Sequence, residues 1–430
     1  MRSRRRRIGW IPVIAAMLMA SISNAQSPLD SISEAKASAL VSYFAADSMG
    51  GRGNGTLQLL QVGSLIGDHF LKAGMKPFPG TSSYFLPFRH FGGPSKFNTD
   101  DLKVNGKSLS RENFRYIHST PGAYGELALK DFQVLRIDTN FSEDILLRYK
   151  DSTGRLLLWT RHKQPGKKDV FPKQMKLSGE LLKPDILLLY SLDEPVAIEL
   201  SGNKNYYGDL NYNVVGMLPG KSKPGEMILF SAHYDHEGVF SNGEIMNGAN
   251  DNASGTAALV MLADYFAKRN DNARTLVFCA FSGEELGLLG SEDFTKYIDE
   301  KKIVAGINLE MLGVPEFGKN TVFITGEKNS DLPDLLKEQL QANGIRVMPE
   351  PDITKQLFMR SDNYPFVKKS VPFHTIMASD DDDSCYHQPC DDIARIDMSN
   401  LATITRAIAL AVQELVNGIK RPSRVKDIPY

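Results

Sequence analysis

Met227-Ile-Leu-Phe-Ser-Ala-His233-Tyr-Asp235-His236 is the stretch that decides the fold. Residues 227–231 form a run of strand length without polar alternation, which reads as a strand covered on both faces, as in a parallel sheet flanked by helices. The run stops just before His233, so titratable side chains emerge where the buried strand ends.

Downstream, the same texture alternates with helical periodicity. Residues 255–268 carry a helical pattern, with Asn252 and Ser254 placed as caps. Residues 275–281 read as a strand, 286–298 as a helix, 303–311 and 322–325 as strands, and 332–342 as a helix stopped by Asn343-Gly344. A strand at 371–377 and a long helix at 399–416 close the series. Repeated strand–helix units predict an α/β fold, a three-layer αβα sandwich on a mainly parallel central sheet. Ligands in such sheets bind beyond the carboxyl ends of the strands.

Upstream, residues 31–75 read as helical around a Gly-rich loop at 50–55. From about 91 to 207 short β-prone runs (134–137, 145–149, 156–159, 186–190 and 196–200) are separated by Gly, Pro, Asp and Lys turns, which predicts a β-rich insertion. The expected organisation is a signal peptide at 1–25, the first part of the main domain at 26–90, the insertion at 91–207, the main domain at 208–420 and a tail at 421–430.

Arg2, Arg4, Arg5, Arg6 and Arg7 precede an apolar stretch from Ile8 to about Ile22, and Ser23-Asn24-Ala25 offers small residues for cleavage. That is the layout of a secretory signal, and it predicts export to the periplasm or the medium. A single anchor helix is the other reading, but the stretch falls short of the ~20 residues a span needs. Removing those five arginines takes the formal charge from −1 to −6. Neither value points to nucleic acid or to an anionic membrane surface. Of three Cys, Cys279 sits in an apolar run and reads as a core thiol, whereas Cys385 and Cys390 flank Tyr386-His387. In an exported chain that pair suggests a disulfide; thiolate metal ligands are the alternative.

Five segments carry chemistry: His233-Tyr-Asp235-His236, residues 248–255 around Asp251, Ser282-Gly-Glu284-Glu285, Asn308-Leu-Glu310, and Tyr386-His387. Singly each has a plain reading, such as a hydrogen-bonded His–Asp pair, a turn before a helix or acidic residues at a helix start. The acidic run at 380–383 reads as a solvated loop. Together, near strand ends, the five segments supply the imidazoles and carboxylates that zinc accepts, and two such ions can share a bridging carboxylate.

These segments resemble peptidase family M28 over roughly residues 208–418, with a weaker likeness at residues 44–77 around Asp47-Ser-Met-Gly-Gly-Arg52-Gly. The resemblance implies a dinuclear zinc site in which Asp251 bridges, His233 and Glu310 complete one ion, and Glu285 and His387 the other. It implies Glu284 as general acid/base, Asp235 as the group that orients a ligand imidazole, and His236 as no ligand. Glu310 stands where the family commonly has Asp, which alters the reach of that carboxylate. Ser361-Asp362-Asn363 resembles the family's Ser-Asp-His, with Asn363 in place of His. The function implied is hydrolysis of peptides by an exported zinc exopeptidase, most simply an aminopeptidase. A carboxypeptidase or dipeptidase, with Arg360 as a candidate carboxylate anchor, and a glutaminyl cyclase-like acyltransferase use the same scaffold. A binding protein with a residual metal site is the non-enzymatic alternative.

Overall fold

Phe230 shows why residues 227–231 become a central strand: its ring stacks on Phe278 of one neighbour at 5.1 Å and on Phe266 of an overlying helix at 5.6 Å. Removing each such side chain from water contributes about 1.5–3 kcal/mol. The computed structural model describes residues 27–89, 101–117, 126–162, 183–201, 210–240, 242–426 and 428. The expected signal peptide at 1–25 lies outside the described residues.

The central sheet has nine strands among the described residues: β1 (Lys76–Pro77), β2 (Phe85–Arg89), β3 (Leu210–Leu218), β4 (Lys223–His233), β5 (Arg274–Phe281), β6 (Ile303–Glu310), β7 (Thr321–Ile324), β8 (Arg346–Met348) and β9 (Phe373–Met377). Their order is β1-β3-β5-β4-β6-β9-β7-β8, with β2 also paired to β3. The four central strands β5-β4-β6-β9 run parallel, and antiparallel joins lie towards the flanks. Because β5 and β6 lie on opposite sides of β4, their connections leave in opposite directions and open a crevice at the carboxyl ends of all three.

Alternate strand residues feed two cores. Ile228, Phe230, Leu276 and Phe278 enter one, together with the helices α1 (Glu34–Phe44), α2 (Leu57–Lys72), α3 (Gly255–Arg269), α4 (Leu332–Ala342) and α5 (Met398–Ala411). Leu229, Val277 and Cys279 enter the other, against Phe294 and Phe366 on short helices. Helices on both faces make the three-layer α/β sandwich. No helix among the described residues is long and apolar enough to cross a membrane.

The described residues between 101 and 201 form two further four-stranded sheets around cores of their own. One expected strand there is instead a helix, Glu143–Tyr149. Its run is Ile-Leu-Leu with a single β-branched residue, and Ile145 and Leu146 are buried while Asp144 is exposed early in the first turn, a pattern that suits a short amphipathic helix. The helix expected at 286–298 is shorter, Leu289–Phe294, because Leu288 adopts left-handed backbone (φ 60°) and delays its start.

Candidate metal centre

Each of the five segments reaches the crevice by a local structural cause. His233 is the last residue of β4, where Thr256 of α3 donates to its carbonyl at 2.7 Å. Glu284 and Glu285 follow β5 directly. Asp251 rides on a buried loop entered through Gly248, whose positive φ (58°) and missing Cβ both matter: a side chain there would meet the Asp251 carbonyl at 2.2 Å and the His236 ring at 2.4 Å. The Asp251–Asn252 peptide is cis. Asn252 ties this loop to α3 and β6, accepting from the amides of Gly255 and Met311 at 3.0 and 3.2 Å and donating to the Leu309 carbonyl at 3.0 Å. The loop after β9 brings in His387 and is closed by a Cys385–Cys390 disulfide with Cα atoms 5.3 Å apart, while Cys279 is a buried free thiol.

The side chains converge on Asp251. Its Oδ1 lies 3.2 Å from His233 Nε2, and its Oδ2 lies 3.1 Å from His387 Nε2. Glu285 Oε2 is also 3.1 Å from His387 Nε2. His236, Asp251, Glu285 and His387 thus form one group of potential ligand atoms within 4.8 Å of one another, and His233, Glu284 and Glu285 form a second. His233 Nδ1 faces the Asp235 carbonyl at 3.2 Å, which fixes the tautomer that leaves Nε2 bare. Nε2 of both His233 and His387 is buried without a hydrogen-bond partner. A bare imidazole nitrogen packed against a carboxylate is stable only with a cation or a proton between them, so the donor set fits a metal ion.

Electrostatics agree with that crowding. Burial would raise the Asp251 carboxyl, but His233 and His387 hold it well below the usual range. Burial would likewise raise Glu285, yet contact with His236 and His387 brings it down to about 2. Burial would lower His387, and the Asp251 and Glu285 carboxylates lift it to about 10; Glu284, Asp235 and Asp251 raise His233 in the same way. Glu284 is pushed well above the usual carboxylate range by burial and by Glu310, Glu285 and Asp362, with His233 opposing.

Glu310 stands apart from both groups. Its Oε2 accepts from the Ser361 hydroxyl and from Asn308 Nδ2, the latter at 3.2 Å, and burial lifts the carboxyl to about 7. Asp362 is fully buried and raised to about 7 by that burial. Asn363 does not reach the metal ligands; it bonds the carbonyls of Phe358 and Phe373 and receives the Thr375 hydroxyl. Asp235 receives Asn54 Nδ2 at 2.7 Å, with its other oxygen 3.7 Å from His233 Nδ1. His236 sits inside the Asp251–Glu285–His387 group, its Nδ1 2.8 Å from Glu285 Oε1.

Three neighbours of the ligands were given no role by the sequence reading. Tyr386 lays its ring on the His387 imidazole at 3.9 Å. Asp391 accepts the amides of Asn250 and Asp251 at 2.9 and 3.0 Å. Arg52, wholly buried, bonds carbonyls of the same loop. Arg52 and Tyr386 lie in quoted stretches but offer no ligand-type side chain, and Asp391 lies four residues past His387 with nothing local to mark it as a support.

Residues 213–412, which contain every metal-site candidate named above, match the profile of Peptidase family M28. An aminopeptidase of Bacillus subtilis, YwaD, is 25% identical over 236 residues, covering 52% of this chain and 49% of that protein. An aminopeptidase of Pseudomonas aeruginosa is 27% identical over 231 residues, covering 47% and 41%. The alignments therefore span about half the length of the curated relatives. Among solved structures, BSAP, a zinc aminopeptidase from Bacillus subtilis, superposes with a TM-score of 0.54 at 17% identity over 93% of this chain and 99% of that one. At that identity the likeness is one of fold.

Proposed function

We propose that this protein is an exported zinc exopeptidase that removes residues from the amino end of peptides. The observation that carries the reading is the pair of buried, bare Nε2 atoms of His233 and His387 aimed at the two oxygens of Asp251. Asp251 would bridge two ions, with His233 and Glu310 on one side and Glu285 and His387 on the other. Bound zinc supplies a Lewis acid that polarises the scissile carbonyl and makes a water acidic near neutrality.

The rest of the work falls to the chain. Glu284 immediately precedes Glu285, and neighbouring side chains leave the backbone in different directions, so Glu284 can face the attacking water while Glu285 holds metal. Its carboxylate takes the water's proton and then gives it to the departing amine. Asp235 holds His233 in orientation, itself held by Asn54.

Cleavage at the amino end rests on charge. The carboxyl group of Glu284 adds to those of Asp251, Glu285 and Glu310, and so acidic a site suits an ammonium group. Arg360, the candidate anchor for a terminal carboxylate, is engaged by Asp381 at 2.7 Å. The relatives named aminopeptidases point the same way. Cleavage of aminoacyl anilides should require a free amine; equal turnover of N-acetylated substrates overturns the amino-end reading. Elemental analysis showing no zinc in active enzyme overturns the metal reading.

A further inference from the structure

Arg52 is far from the metal ligands in sequence and carries no donor a metal could use. Yet its relative exposure is 0%, in a protein where a buried arginine must have every donor satisfied. Its Nε donates to the Tyr234 carbonyl at 3.0 Å, Nη1 to those of Phe44 and Asn247 at 2.9 and 2.6 Å, and Nη2 to those of Gly248 and Asp251 at 2.8 and 3.4 Å. Every acceptor is a backbone oxygen. One is the neighbour of His233, and three lie on the loop that presents Asp251.

The surrounding segment is built for this approach. Gly51 has φ 57°, and a Cβ there would meet the Met246 carbonyl at 2.2 Å and that of Gly238 at 2.6 Å. The His236 amide donates to the Arg52 carbonyl at 3.2 Å. Two residues on, Asn54 grips Asp235 at 2.7 Å. Residues 51–54 therefore touch both the end of β4 and the Asp251 loop, which hold His233 and the shared carboxylate.

We propose that Arg52 is a positioning residue of the zinc site, its planar fork setting the distance between His233 and Asp251, with Asn54 as a second handle through Asp235. This rests on the zinc-peptidase reading above. A lysine in its place keeps the charge but offers a single point of donation, so it cannot span carbonyls on two segments.

The test is zinc affinity, measured by competition with a chromophoric chelator on folded full-length protein, beside thermal melting and steady-state kinetics. Arg52→Lys should weaken zinc ~10–100-fold, the size typical of groups that orient metal ligands. Its kcat should recover at saturating zinc. Asn54→Ala should weaken zinc in the same direction, and it carries the test if Arg52→Lys does not fold. Lys36→Met is the control: it removes the Lys36–Asp264 ion pair between α1 and α3 without touching either loop, and should lower the melting point with zinc affinity unchanged. Wild-type zinc affinity in Arg52→Lys, or in Asn54→Ala where Arg52→Lys does not fold, overturns the proposal. So does a loss in Lys36→Met equal to that of the tested variant at equal loss of stability. Absence of zinc from the wild-type protein overturns the functional reading together with this one.

Discussion

Asp391 holds Asp251 by its backbone: Oδ2 of Asp391 accepts the Asp251 amide at 3.0 Å, while Oδ1 accepts the amide of Asn250. One carboxylate thus fixes where another can point, and burial lifts Asp391 to about 6. Asp391→Asn would set an NH2 group against one of those amides. Zinc affinity should fall ~10–100-fold with the fold retained. Chelator competition checks this, and unchanged affinity removes Asp391 from the support of the site.

Glu284→Gln keeps the shape of the side chain and abolishes its basicity. Turnover should drop ~10²–10⁴-fold while the zinc content stays that of wild type. Elemental analysis alongside kcat separates the two effects. A variant that turns over normally excludes Glu284 as the proton carrier.

Glu310 is drawn to Ser361 and Asn308, so only one of its oxygens is free for a metal. We expect Glu310→Gln to lose one zinc per molecule, from the side of His233, and to retain the ion held by Glu285 and His387. Stoichiometry near two in the variant would show that Glu310 is no ligand.

The pH dependence of the chelated protein follows from two raised groups. His387, near 10 in the fold against an ordinary 6.5, favours folding below pH 6.5, and that contribution disappears as pH rises towards 10. Glu310, near 7 against 4.5, opposes folding increasingly as it ionises between those values. Both signs agree: metal-free protein should melt lower as pH rises from about 5 to 10. Glu285, held near 2, works oppositely and favours folding only above its usual value of 4.5, with loss towards pH 2. Zinc displaces the protons, so its uptake at pH 7 should release protons and flatten the alkaline decline, as titration calorimetry in buffers of different ionisation enthalpy will show.

Cys385 and Cys390 close the loop that carries His387. Replacing both with Ser should cost about 2 kcal/mol of stability, as expected for so short a loop. It should also weaken zinc, because His387 loses its tether. A melting curve and a chelator titration, each with and without reductant, measure both.

Much of the parallel core was legible because it is local. Residues 227–231, 275–281 and 303–311 are apolar on both faces, so each had to be a covered strand whatever its neighbours, and His233, Glu284, Glu285 and Glu310 sit where those runs end. The helix Glu143–Tyr149 was not legible, since a short apolar run suits either state until its partners are known.

What the sequence determined by itself was the set of chemical groups and the strand ends that present them. Only the tertiary structure decided how they are aimed. Arg52 meets carbonyls 182 to 199 residues away, a relationship no local spacing encodes. Glu310 turns to Ser361, 51 residues on, a hydroxyl that only the packed interior brings to it. His236 looked interchangeable with His233 in sequence, and in the fold both keep a buried Nε2 without a hydrogen-bond partner; what differs is direction, His233 presenting Nε2 to Asp251 and His236 meeting Glu285 with its Nδ1. Ligand identity is a property of residue type, but ligand direction depends on loops that meet only when the sheet is assembled.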